Sequence, residues 1–363
     1  MKIGIACGGT GGHIFPGLAT ATALRQQGHE VVLWLTGKDI EQTALAGWDG
    51  PVERVSFGGL APLLSWRHLV VVWQLGQAVR RCRAALRRQR VQVLLAMGSY
   101  ASVAPVWAAR SLRIPVVLHE ANVIPGRAVR WLSRWAAAVA IGFAETRSHL
   151  HHPRLVLTGM PSRPPDSQAP GEGAVPWHQL AADCFTVLVM GGSRGARHLN
   201  ACASVAMANL HRQGHKVQVI HLSGLAEEQA IRAYYLQAGV RHLVCGFLHD
   251  MPQAYRRAAL AVCRAGAATC AELAAYAVPA LLVPYPRATH QHQLANARAV
   301  AAAGAADLRL EAELDSAWLT NYLARQLAEA DRLAGMRQAA RRRHQGQAAE
   351  SLAALVLAVG NGR

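Results

Sequence analysis

Twice in this chain an apolar run of strand length empties into a glycine turn and then into a helix. Lys2 to Cys7 precedes Gly8-Gly9-Thr10-Gly11-Gly12-His13 and a helix over 15–25. Phe185 to Met190 precedes Gly191-Gly192-Ser193-Arg194-Gly195-Ala196-Arg197 and a helix over 199–212. A strand, a glycine turn and a helix form an anion-binding device. Glycine lets the backbone approach a ligand, and the helix start presents unpaired N–H groups. Two such units in one chain predict two α/β domains. In the first unit the turn ends on a histidine, which places a titratable ring beside the anion site.

Between the units the alternation continues. Strands are predicted at 2–7, 30–35, 52–56, 91–96, 115–119, 137–141 and 154–158, then at 185–190, 217–222, 242–246, 259–263 and 279–283. Helical periodicity between strands predicts parallel sheets covered on both faces. The stretch from Met160 to Trp177, with Pro161, Pro164, Pro165, Pro170 and Pro176, reads as the linker. The fold class is α/β, two Rossmann-like domains facing each other across a cleft. Their expected bounds are 1–160 and 161–340, and a helix at about 341–363 packs back on the first.

The first turn is not a dinucleotide fingerprint. G-x-G-x-x-G cannot be threaded through residues 8–13, and the second strand ends in Leu35-Thr36-Gly37-Lys38, not in a ribose-binding carboxylate. The formal charge of +17 invites anionic partners: nucleic acid, anionic lipid or phosphorylated substrates. Zinc-finger spacing, RNP aromatics and a helix-turn-helix pattern are all missing, which argues against nucleic acid. The seven cysteines are scattered without C-x-x-C spacing and suit a reducing compartment. Lys2 leads straight into a strand, so no leader is expected. No uncharged apolar stretch reaches the ~18 residues of a membrane-spanning helix.

Several segments carry chemistry. Arg264 to Glu272 follows a strand, and Gly266 to Thr269 is expected to open a helix whose N–H groups receive a pyrophosphate, with Glu272 on its first turn accepting from both ribose hydroxyls. Gln293 and Asn296, three apart, are expected on one helix face suited to sugar hydroxyls. His119-Glu120-Ala121-Asn122 lies at the carboxyl end of a strand, where doubly wound sheets bind ligands. From Leu60 to Arg90, an apolar section (Leu63, Leu64, Trp66, Leu69 to Trp73) runs into Arg80, Arg81, Arg83, Arg87, Arg88 and Arg90, a pattern that can lie in an anionic interface.

The ordered set 8–13, 98–100 (Gly-Ser-Tyr), 119–122, 159–163 (Gly-Met-Pro-Ser-Arg), 191–197, 263–272 and 292–297 resembles the MurG-type N-acetylglucosaminyltransferases, over essentially the whole chain. The resemblance implies the GT-B fold, no cofactor and no obligatory metal. It implies inverting transfer of N-acetylglucosamine from UDP-N-acetylglucosamine to the C4 hydroxyl of the muramic sugar of lipid I, giving lipid II. By the same resemblance, Thr10, Gly11 and Gly12 face the donor sugar and phosphates. Asn122, Arg163 and Ser193 belong to the substrate site, and the main chain of Leu248 meets uracil. Ala267, Ala268, Thr269, Cys270, Ala271 and Glu272 form the phosphate and ribose loop, and Gln293 holds sugar hydroxyls. Met160, Arg194 and Ala265 depart from the family's asparagine, glutamine and serine. His13 is the expected base, with Glu120 as rival. The implied partners are the donor, lipid I, an anionic membrane surface and other proteins of cell-wall synthesis, with no nucleic acid. The implied place is the cytoplasmic face of the bacterial inner membrane, bound peripherally. The alternatives are a GT-B enzyme acting on another lipid such as diacylglycerol, a nucleotide-sugar 2-epimerase of the same fold, and a basic nucleic-acid-binding protein.

Overall fold

A computed structural model of the chain describes residues 1–37, 41, 44–45, 48–55, 67–162, 176–191, 196–248 and 250–362, with 67–72 described by backbone alone. They form two compact units, Met1–Arg163 with Gln345–Arg363, and Pro164–His344. The first contains β1 (Lys2–Ala6), α1 (Gly11–Gln26), β2 (Glu30–Leu35), β3 (Val52–Arg54), α2 (Arg67–Arg88), β4 (Val93–Ala96), α3 (Val103–Ser111), β5 (Val116–Glu120), α4 (Arg127–Leu132), β6 (Ala138–Ile141) and β7 (Leu155–Leu157). The second contains β8 (Phe185–Met190), α5 (Arg197–Arg212), β9 (Val217–Leu222), α6 (Glu228–Gln237), β10 (Arg241–Cys245), α7 (Met251–Arg257), β11 (Leu260–Cys263), α8 (Ala267–Ala275), β12 (Ala280–Leu282), α9 (His292–Ala302), β13 (Ala306–Leu308), α10 (Ser316–Ala328) and α11 (Ala330–Arg343). Then α12 (Ala348–Gly360) returns to the first unit and packs on α1. The expected linker at 160–177 lies largely outside the described residues, as does much of the apolar section at 60–72.

Both sheets are wholly parallel. The first has the order β3-β2-β1-β4-β5-β6-β7, the second β10-β9-β8-β11-β12-β13. The register follows from burial on two faces. In β2, Val31, Leu33 and Leu35 enter the core under α1 and α12, while Val32 and Trp34 enter the core under α2 and α3. A strand buried on both sides reads as a continuous apolar run, which is why the alternation of runs and amphipathic stretches was legible. Gly17 shows how closely α1 sits on β1: a Cβ there would stand 2.5 Å from the Cβ of Cys7. β13 was not anticipated. Its three residues, Ala-Asp-Leu, form an edge strand with no apolar run to announce it.

In the second unit a polar network sits behind the start of α5. His221 is fully buried, its Nδ1 2.9 Å from the Tyr235 hydroxyl and its Nε2 3.1 Å from Asn200 Oδ1. Asn200 Nδ2 donates to Ser223 O (2.9 Å) and Glu227 Oε2 (2.6 Å). Burial pushes the His221 imidazole down to about 3, and that of His119 in the first unit to about 4. Both rings therefore fold neutral. Their unfolded counterparts bind protons below pH 6.5, so stability falls as pH drops from there towards the folded values. Between pH 6.5 and 5 the loss is about 2 kcal/mol for each ring. Thermal and urea unfolding at pH 7 and pH 5 should show that decline, and His221→Gln should lose about half of it relative to wild type. An unchanged pH slope in that variant would mean His221 carries no part of it.

Candidate active site

In the first unit the loops after β1, β4 and β5 meet at the carboxyl ends of adjacent strands. Gly9 takes φ +132°, a conformation that only glycine adopts without strain. Its N–H donates to Glu41 Oε1 at 3.0 Å. The same carboxylate accepts from the Thr36 hydroxyl and from the N–H groups of Thr36 and Gly37, and these bonds hold its pKa below the usual range despite burial. Ser99 Oγ donates to Gly8 O at 2.7 Å, tying the 98–100 segment to the glycine turn. Thr10 is the extended N-cap of α1, so Gly11 and Gly12 open the helix with their amides outward. His13 is half-buried on the first turn, and its Nδ1 lies 3.0 Å from Thr10 Oγ1. When Nδ1–H donates to that hydroxyl, Nε2 carries the ring's lone pair.

His119 lies fully buried within electrostatic reach of His13. Its Nε2 stands 3.1 Å from Gly159 O, the geometry of a ring N–H donating to a carbonyl. Burial keeps this ring neutral. Glu120 is also buried, and its carboxylate is turned onto its own loop. Oε1 accepts from Asn122 N (2.9 Å) and Nδ2 (3.2 Å), and Oε2 from Gly126 N (2.9 Å) at the start of α4. Burial raises its pKa and these bonds oppose the rise. Asn122 is thereby oriented by Glu120, and its carbonyl accepts from Thr146 Oγ1 at 3.1 Å.

In the second unit Gly266 caps α8, which begins at Ala267 directly after β11. The amides of Ala267, Ala268 and Thr269 precede the first intrahelical bond, Cys270 N to Gly266 O at 2.9 Å. Ala267 and Cys270 are buried, so these positions present main chain; Ala268, Thr269 and Ala271 are half-buried. Glu272 was expected on the first turn. The helix starts early enough to place it in the second, beyond the free amides and clear of repulsion with an anion bound there. Its Oε2 accepts from the buried Tyr255 hydroxyl at 2.7 Å, and burial raises its pKa.

Gln293, on the first turn of α9, accepts the Tyr285 N–H on Oε1 at 2.9 Å, which directs its amide nitrogen. Asn296 does not share that role. It is fully buried, and its Nδ2 donates to Ala265 O at 3.1 Å, bracing α9 against the loop before α8. Leu248 follows β10 with its side chain buried, so its main chain is what it offers outward. Arg163 and Ser193 lie outside the described residues. Sequence reasoning missed three residues. Glu41 holds the glycine turn, and Tyr255 positions Glu272. Arg264 pairs with Glu311, donates to Val283 O (3.2 Å) and Pro284 O (3.4 Å), and lies 5.5 Å from the ring of Tyr285. The only signal for Arg264 was a lone cation inside an apolar stretch.

This pairing of two parallel-sheet units matches known proteins along nearly the whole chain. Residues 3–141 match the glycosyltransferase family 28 N-terminal domain and residues 186–355 the glycosyltransferase family 28 C-terminal domain. A UDP-N-acetylglucosamine--N-acetylmuramyl-(pentapeptide) pyrophosphoryl-undecaprenol N-acetylglucosamine transferase of Halorhodospira halophila is 40% identical, covering 93% of each chain. One of the same description from Alkalilimnicola ehrlichii is 39% identical over 98% of each. The crystal structure of Acinetobacter baumannii MurG superposes with a TM-score of 0.79 at 28% identity, covering 98% of this chain and 99% of that one. The chain has the GT-B fold and belongs to the MurG-type N-acetylglucosaminyltransferases of glycosyltransferase family 28.

Proposed function

We propose that the protein transfers N-acetylglucosamine from UDP-N-acetylglucosamine to the C4 hydroxyl of the muramic sugar of lipid I, forming lipid II for peptidoglycan. The observation that carries this reading is the start of α8. Three amides there can receive a diphosphate, and one turn further on a carboxylate fixed by Tyr255 can accept from ribose hydroxyls. Leu248 offers main chain to the uracil, and the Gln293 amide nitrogen donates to a sugar hydroxyl.

Inversion at C1 needs one displacement. The acceptor O4 attacks C1 and its proton passes to Nε2 of His13. The C1–O bond to UDP breaks, and the electron pair leaves on the β-phosphate. In the second unit the amides of 267–269 can meet that growing charge. Glu120 is the lesser candidate for the base, since both its oxygens already hold loop N–H groups. Its role is to orient Asn122. Transfer is expected to continue in EDTA.

The acceptor is a lipid, so the enzyme works at a membrane surface, here the cytoplasmic face of the bacterial inner membrane. On the first unit, α2 exposes Trp73, Arg80, Arg81, Arg87 and Arg88 and packs along α3. There Trp107, Trp131 and Trp135 form a cluster with centroids 5.0–6.2 Å apart, and Arg110 and Arg134 lie over Trp135 at 5.3 Å. Arginine and tryptophan together suit an anionic headgroup layer. Among the described residues no helix is long and apolar enough to cross a membrane.

Four outcomes check the reading. His13→Ala should lower kcat about 10²–10⁴-fold with UDP affinity kept; wild-type turnover would remove His13 from proton transfer. Glu272→Gln should weaken UDP binding about tenfold or more, an amide being a poorer acceptor for paired hydroxyls. In the wild type, UDP affinity should also fall as pH drops through the raised Glu272 pKa, a fall the variant should lack, and calorimetric titration from pH 8 to 5 reads both. Sedimentation with anionic vesicles should drop severalfold in the triple variant Arg80→Ser, Arg81→Ser, Arg83→Ser, and binding at the wild-type level would sink the membrane face.

A further inference from the structure

The second unit carries a feature that its donor-binding loops do not use. At the amino end of its sheet, Phe185 at the start of β8 and the helices α10 and α11 enclose a groove of about 440 Å³. That volume lies in the range of small-molecule sites. Its walls are apolar, chiefly Phe185, Leu327 and Leu333. Gln326 also lines it, and this side chain is fully buried. Among the described residues neither Nε2 nor Oε1 of Gln326 has a hydrogen-bond partner. Folded proteins rarely leave both ends of a buried amide unanswered.

Arg337 and Arg341 line the same groove, four residues apart on α11 and so on one helix face. Among the described residues neither forms an ion pair. Burial, and then the charge of Arg341, both disfavour the charged form of Arg337. Two guanidinium groups beside apolar walls, with no carboxylate between them, match a head of nearly two negative charges. That is the charge of a phosphate monoester near neutral pH, not of a carboxylate. The flank of α11 beyond the groove is polar, with Asp331, Arg332 and Arg342 exposed, so a long acyl chain would find no apolar track.

We propose that this groove binds a small soluble phosphate monoester. Arg337 and Arg341 hold the phosphate, Phe185, Leu327 and Leu333 cover a short apolar body, and the Gln326 amide meets a polar atom of the ligand.

Hexyl phosphate is the probe, titrated calorimetrically into the full-length protein with UDP at saturation to occupy the donor's own phosphate site. It should bind at least tenfold more tightly than inorganic phosphate. Arg337→Gln, on a half-buried position that should fold normally, should weaken it at least tenfold, as should Gln326→Leu, with transfer activity unchanged in both. Binding of hexyl phosphate no tighter than inorganic phosphate would overturn the proposal. So would wild-type affinity in Arg337→Gln, which would place the ligand elsewhere even if UDP failed to fill the donor site. Displacement of hexyl phosphate by phosphatidylglycerol vesicles, lost in Arg337→Gln, would give the groove to a membrane lipid and overturn the soluble ligand.

Discussion

The loops of the candidate site are held in place by carboxylates accepting backbone N–H groups. Glu41 gathers Gly9, Thr36 and Gly37; Glu120 gathers Asn122 and Gly126; Glu228 takes Gly246 just before Leu248. Each accepts amides that follow the carboxyl end of a parallel strand, where the chain leaves the ladder and its amides lose their partners. An ionised carboxylate has no proton to donate, and its two oxygens can take several N–H groups at once. One side chain can therefore fix a turn that no regular hydrogen-bond pattern would fix. With only 21 acidic residues against 38 Lys and Arg, the chain places a notable part of its negative charge in this role.

This constraint also explains where the sequence was legible. Parallel strands buried on both faces announce themselves as apolar runs, and glycine turns announce the helix starts that follow them. The candidates in those patterns, Gly9 to His13 and Gly266 to Glu272, lie at strand ends in the structure. What could not be read were side chains whose work depends on distant partners. Glu41 reaches back across the sheet to Gly9, and Tyr255 comes from the preceding helix to meet Glu272. Asn296 and Gln293 show the same limit in reverse. Their spacing suggested one ligand-facing pair, but burial turned Asn296 to the Ala265 carbonyl. Helix phase alone does not say which side of a helix the core occupies. Glu272 was expected on the first turn, but from the cap at Gly266 it is the sixth helical residue and so falls on the second.

The excess of positive charge divides by location. Arg264 is internal, anchoring the ends of β11 and β12 through Glu311 and two carbonyls. Arg332 pairs with Asp307, and Arg343 donates to Ala299 O at 3.1 Å, so these two brace α11 against its neighbours. The arginines on α2 and around Trp135 are mostly exposed and belong to the surface. A net charge read from composition cannot separate structural cations from surface ones, although only surface cations attract a partner at a distance.

The electrostatics around His13 complete the picture. A base near neutral pH must bind a proton in the transition state, and a second cation close by would oppose that. His119 lies within reach, yet burial holds it at about 4, so it stays neutral through the working range. Its Nε2 sits against the Gly159 carbonyl, a geometry that fixes ring orientation and tautomer together. Glycine at 159 is itself required, since its φ of +80° and the 2.6 Å approach of the Gln345 Cβ to a would-be side chain exclude other residues. The path from the returning C-terminal segment to the proposed base is thus short: Gln345 abuts Gly159, Gly159 orients His119, and His119 stays uncharged within electrostatic reach of His13.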